Sequence, residues 1–303
     1  MAHPDYPLFL PVLITWVHLF TGPGFFYANW IMPVLYMFFT GLFYSQIRRY
    51  FNHAFSFLIV FMLASIPQVA DYAMILYSDI LITAFVTCAF IYFMQYADGY
   101  GKTPLLMSAV LMGLSAWIKN EAIVFCAAYV VVLAVFLLKG DRSDKKRVKD
   151  VLRAVFVMAL VAVPWMAVKL SSGAFNSDMN PVGITPDRFL ENVRHIPVLL
   201  DLFQQEVFGP KKWNIFWVLF FAAMIWRRKK LLKGTNLYMV IFLSFSACMY
   251  FAAYMLMTGE NLYFYINTTI SRFMLHFTAL AMFFTARLVY DDIWEIRGFR
   301  CFK

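Results

Sequence analysis

Residues 122–138 read Ala122-Ile123-Val124-Phe125-Cys126-Ala127-Ala128-Tyr129-Val130-Val131-Val132-Leu133-Ala134-Val135-Phe136-Leu137-Leu138, an unbroken apolar run closed by Lys139. A helix needs about 20 such residues to cross roughly 30 Å of hydrocarbon. Basic residues continue from Lys139 to Arg153, and cations gathered at one end of a span mark its cytoplasmic side. At the other end Trp117-Ile118-Lys119-Asn120-Glu121 sets one cation and one acid before the apolar run begins. The same grammar repeats along the chain, in which 62% of 303 residues are hydrophobic, too many for a soluble core.

Nine spans are expected, at 26–46, 54–70, 80–97, 104–118, 121–138, 152–170, 213–226, 236–257 and 273–290. The fold class is therefore an all-α membrane protein, a polytopic bundle of about nine transmembrane helices forming one domain over 1–303. Two spans, 104–118 and 213–226, fall below the usual length and are read as tilted, re-entrant or extended by their flanks. Leu8 to Phe20 is apolar but short and reads as an N-terminal interfacial helix. Residues 171–212 form the one long outside loop. The basic clusters at Arg48-Arg49, Lys139 to Arg153, Arg227 to Lys233 and the C-terminal tail, with Lys102 and Arg287, put 19 of the 26 Lys and Arg on the cytoplasmic side.

The formal charge of +9 follows from that asymmetry and from anionic lipids at the inner face, and calls for no nucleic-acid partner. The cysteines Cys88, Cys126, Cys248 and Cys301 show neither metal-ligand spacing nor a disulfide framework. The opposite face collects the acids. Asp5 lies on a stiff turn, His3-Pro4-Asp5-Tyr6-Pro7, and Asp71 and Asp79 bracket a short loop with Tyr72 and Tyr77. Asp79 reads either as a helix N-cap or as part of a site. Lys119 and Glu121 read either as a snorkelling pair or as a site for an anionic group. Arg272, in Thr268-Thr269-Ile270-Ser271-Arg272 with His276 one turn further, offers a planar fork to phosphate at the expected head of the last span.

Taken together these pieces resemble the GT-C glycosyltransferases, in the bacterial branch related to protein O-mannosyltransferases and lipid A aminoarabinose transferases. His3-Pro4-Asp5-Tyr6-Pro7-Leu8 is similar to that family's H-P-[PD]-x-P-L step. Tyr77-Ser78-Asp79-Ile80 is similar to its Y-A-D-[LI] helix opening. Gly113-Leu114-Ser115-Ala116-Trp117-Ile118-Lys119-Asn120-Glu121 resembles G-[LF]-[AS]-x-x-x-K-x-[ED], and Ser271-Arg272-Phe273 with His276 resembles the Arg-and-His stretch of a late helix.

The resemblance implies a GT-C-like fold and a polyprenyl-phosphate sugar donor. It implies transfer with inversion to a lipid, glycan or protein acceptor on the periplasmic or outer face of a bacterial inner membrane. Lys119, Arg272 and His276 would then bind donor phosphate, Asp79 and Asp5 would be catalytic, and Asp71, Tyr77 and Glu121 would contact acceptor or sugar. A divalent metal is compatible with that scheme, but no ligand cluster is visible. The family's principal acid sits in a first outside loop before the H-P-D-Y-P step, so an upstream span and loop are expected to precede this chain. The competing classes are a transporter or flippase, an inactive homologue and a non-catalytic scaffold. Span interiors almost free of charge, with charges at the outer ends, favour a surface site over a conduction path.

Overall fold

The computed structural model describes residues 6–140, 144–172, 185–257 and 262–296. Their elements are all helical: α1 (Phe9–Thr21), α2 (Phe25–Ala28), α3 (Ile31–Ile47), α4 (His53–Ala64), α5 (Pro67–Met74), α6 (Asp79–Ala97), α7 (Thr103–Ser115) and α8 (Ala122–Lys139). Then follow α9 (Lys145–Ser172), α10 (Pro186–Val193), α11 (Ile196–Phe208), α12 (Pro210–Trp213), α13 (Phe216–Trp226), α14 (Arg228–Leu231), α15 (Asn236–Met255) and α16 (Leu262–Ile296).

Six helical stretches among the described residues are long and apolar enough to cross a membrane: Phe26–Ile47, Asp79–Ala97, Ala122–Lys139, Lys145–Ser172, Asn236–Met255 and Leu262–Tyr290. This is an integral membrane protein. Large side chains such as Leu19, Phe20, Phe38 and Ile225 are more than 70% exposed, as suits contact with hydrocarbon. The apolar windows of α6 and α16 are 78% and 72% buried, against 22% for α9. Those two helices are thus the axis of the bundle, and the others wrap them.

The expected span 54–70 is broken. Its two pieces, α4 and α5, meet at 71° across Ser65 and Ile66. Pro67 is the cause: it forces Ile66 into extended backbone (φ −72°, ψ 120°) and starts a new helix at its own position. The two weak spans are short helices, α7 with 13 residues and α13 with 11, so each covers less than about 20 Å. The last helix begins at Leu262, well before the expected start at 273. Inside it the hydroxyls of Thr268 and Thr269 donate back to the carbonyls of Phe264 (3.0 Å) and Tyr265 (2.7 Å), so this polar stretch continues the helix. Within the expected loop 171–212, α10, α11 and most of α12 are helical, and α11 seats Leu199, Leu202 and Val207 against the bundle.

Axis helices α6 and α16 run in the same direction and are pinned at both ends. At one end Asp79 pairs with Arg272. At the other, Asp98 receives two bonds from Arg287 (3.0 and 3.3 Å), which also donates to Asn236 and Thr235 at the start of α15.

Beside this axis α7 packs on α9 at the closest approach a backbone permits. A Cβ on Gly113 would stand 2.7 Å from the Met158 carbonyl oxygen and 2.8 Å from Val161 Cβ. The Trp117 indole then ties the pair by donating to the Val161 carbonyl at 2.8 Å. Gly113→Ala is therefore expected to destabilise the fold by about 1–3 kcal/mol through overpacking. Gly41→Ala, with open space around it, is expected to be neutral or to stabilise by up to about 1 kcal/mol. Thermal unfolding of the two variants in detergent checks the contrast.

Candidate functional site

Asp79 opens α6, where the N-terminal end of the helix dipole favours a carboxylate. Capping is not what its side chain does. Ser78 holds the N-cap position without a side-chain cap bond, and the Asp79 carboxylate, fully buried, turns to three donors, two of them cations. Its Oδ1 accepts from Lys119 Nζ at 2.7 Å and from His276 Nε2 at 3.1 Å. The Arg272 fork closes on both oxygens, Nε at 3.2 and 3.3 Å and Nη2 at 3.1 Å from Oδ2.

Each partner is delivered by a local feature of the chain. After α7 ends, tight i to i+3 bonds from Ala116, Trp117 and Ile118 wind the chain inward, which leaves Lys119 only 1% exposed. The start of α1 locks this turn, since the Phe9 amide donates to the Trp117 carbonyl at 3.2 Å. Arg272 and His276 lie one turn apart on α16, on the face toward α6. Because a carboxylate only accepts, His276 donates through Nε2 and its Nδ1 accepts from the Tyr250 hydroxyl at 2.9 Å.

Glu121 completes the cluster with Oε1 3.0 Å from Lys119 Nζ and a side chain 23% exposed. Its Oε2 is buried without a hydrogen-bond partner. Burial alone would push the Lys119 amine down, but the carboxylates of Glu121 and Asp79 outweigh it and hold the amine above the ordinary lysine value. Burial likewise raises Glu121, and the Lys119 charge more than reverses this, so that Glu121 stays below the usual carboxylate range. Arg272 is 23% exposed, spends Nε and Nη2 on Asp79, and lies 5.4 Å from the ring of exposed Tyr77. Among the described residues its third nitrogen, Nη1, makes no hydrogen bond.

The fold thus brings Asp79, Lys119, Glu121, Arg272 and His276 into one cluster, with Tyr77 at its rim. Asp71 is exposed on α5 and makes no hydrogen bond or ion pair with the group. Asp5 lies outside the described residues. Arg272 sits well inside α16, so free N–H groups of a helix start are not beside it, contrary to the expectation from sequence. Nor does the donor set around Asp79 fit a divalent ion, because Lys119, Arg272 and His276 already donate to its oxygens; among the described residues no group of three or more His, Cys, Asp or Glu is placed to hold a metal.

Two neighbours escaped the sequence reading. Tyr250, on α15, shows no signal among many aromatics. Glu206 is the second: it binds Lys212, the Trp213 indole (3.0 Å) and the Ser271 hydroxyl (2.8 Å), which ties the end of α11 and α12 to α16 beside Arg272. Next to His276 an apolar groove of about 470 Å³ runs between α11, α13, α15 and α16, with Tyr250, Tyr254 and Phe273 in its wall.

Residues 5–167 match the family described as dolichyl-phosphate-mannose-protein mannosyltransferase. The chain belongs to that family. No curated protein matches it by sequence. Among solved structures it is similar to ArnT from Cupriavidus metallidurans in the apo state, with a TM-score of 0.58 and 14% identity over 95% of this chain and 50% of that one. It is also similar to the same protein bound to undecaprenyl phosphate, with a TM-score of 0.56 and 14% identity over 93% and 50% of the two chains. The family member described here thus has the GT-C fold of ArnT and spans about half the length of these solved chains.

Proposed function

We propose that this protein is a glycosyltransferase that moves a sugar from a polyprenyl-phosphate donor to a hydroxyl-bearing acceptor at the outer face of the membrane, with inversion. The observation that carries this reading is the buried Asp79 with its shell of Lys119, Arg272 and His276, at the end of the bundle opposite the basic loops, in a chain of this family. A solved structure of similar fold is of ArnT bound to undecaprenyl phosphate, which supports the choice of donor lipid.

The residues divide the work by what each has free. Asp79 has no oxygen to spare and acts as the positioning group that aims Arg272 and Lys119. Arg272 offers Nη1 to a donor phosphate oxygen, where a preorganised cation stabilises the charge that grows as the leaving group departs. Glu121 keeps Oε2 open and takes the proton of the acceptor hydroxyl. The new bond joins that oxygen to the anomeric carbon, the bond from that carbon to the phosphate oxygen breaks, and polyprenyl phosphate leaves. Its isoprenoid tail lies in the apolar groove by Tyr250 and Phe273.

Membranes containing the full chain, given a polyprenyl-phosphate donor with a labelled sugar, are expected to pass label to an acceptor fraction. Glu121→Gln lowers that rate about 10²-fold at unchanged protein level. Movement of labelled donor across vesicles, without a new glycosidic product, would instead indicate a flippase.

A further inference from the structure

The first two turns of α9 hold an arrangement that the helix alone would disfavour. Lys145, Lys149 and Arg153 follow one another at i, i+4 and i+8, so three like charges stack along one face. They do so at the helix N-terminus, where the macrodipole already favours anions over cations. Among the described residues none has a carboxylate partner. The two acids of the segment are engaged elsewhere: Asp144 caps the helix by accepting from the amides of Lys146 and Arg147 (3.1 Å each), and Asp150 pairs with Lys102 at 3.3 Å. The neighbouring Arg147 is turned away onto the Phe136 ring, 3.6 Å from its centroid.

Along the same face the character changes within one turn. Leu152 is 61% and Phe156 66% exposed, and exposed Leu160 and Val163 continue the stripe, whereas Val151, Ala154 and Met158 bury the opposite face. The aliphatic stems of Lys145, Lys149 and Arg153 join Val148, Leu152 and Phe156 in lining a shallow, almost wholly apolar depression of about 580 Å³. A free anion would meet the charges and leave this apolar surface uncovered. We infer that this face of α9 binds the headgroup and one acyl chain of an anionic glycerophospholipid, with phosphate among Lys145, Lys149 and Arg153 and the chain against Leu152 and Phe156. The ligand removes the like-charge repulsion and covers the stripe in one step. The site lies at the end of the bundle away from Asp79 and is independent of the proposed reaction.

The full chain, purified and delipidated, is exchanged into nanodiscs of dioleoylphosphatidylcholine with or without dioleoylphosphatidylglycerol, and retained lipid is counted by native mass spectrometry. The wild type is expected to retain phosphatidylglycerol over phosphatidylcholine and to gain thermal stability from it. Substitution to K145Q/K149Q/R153Q should weaken retention about 10²-fold, at about fivefold per cation, and abolish the thermal gain. Its stability in pure phosphatidylcholine, unchanged or raised by the loss of repulsion, shows that it folds. The control R228Q/K229Q/K230Q keeps retention. Equal retention in the α9 variant, equal loss in the control, or displacement of the lipid by millimolar inorganic phosphate would each overturn the site, the last in favour of a free anion.

Discussion

Asp79→Asn removes sugar transfer and a large part of the protein's stability together. The isosteric amide keeps the volume of the side chain but strips Arg272 of its carboxylate partner and leaves Lys119 with Glu121 alone. Removing one partner of a buried ionic network costs about 3–5 kcal/mol, because the survivors keep their desolvation penalty. A drop of several degrees or more in the unfolding temperature is expected in detergent. Pairing the change with Arg272→Met takes away the stranded charge, so the double variant should recover part of the stability while transfer stays absent. If Asp79→Asn unfolded like the wild type and still transferred sugar, Asp79 would be neither anchor nor positioning group.

Arg272→Ala separates the two effects. Arg272 is partly exposed, and Asp79 retains Lys119 and His276, so the loss of stability is smaller than for Asp79→Asn. Transfer falls about 10³-fold, the scale set by deleting one preorganised charge-stabilising donor. Arg272→Lys restores little, since an ammonium cannot grip both Asp79 oxygens and still offer a nitrogen to phosphate. Initial rates with labelled donor, normalised to membrane-inserted protein, measure the effect. A variant within tenfold of wild type would remove Arg272 from the donor site.

Much of this arrangement is legible from residue order. The charge asymmetry of the loops identifies a polytopic membrane protein, and the short motifs at Asp79, Lys119 and Arg272 name residues that the fold gathers from the start of α6, the turn after α7 and the interior of α16. What escapes is whatever depends on burial without local pattern. Tyr250 is one tyrosine among 17 until His276 is placed beside it. Glu206 lies in a polar stretch that looks like loop, and only the packing of α11 shows that its carboxylate is held against α16. Helix boundaries fail for a related reason. Thr268, Thr269 and Ser271 read as a polar boundary, yet back-bonded hydroxyls satisfy the threonines inside a continuing helix. Pro67, by contrast, is a visible break that a hydropathy reading of 54–70 runs straight through.

The clasps at the two ends of α6 and α16 also restrict how a bulky lipid gains admission. Sliding one of these helices past the other by a single turn would tear Asp79 from Arg272 and Asp98 from Arg287 at the same moment. The pair therefore behaves as a fixed post. The shape of the neighbouring groove is therefore set by how α11, α13 and α15 stand around that post.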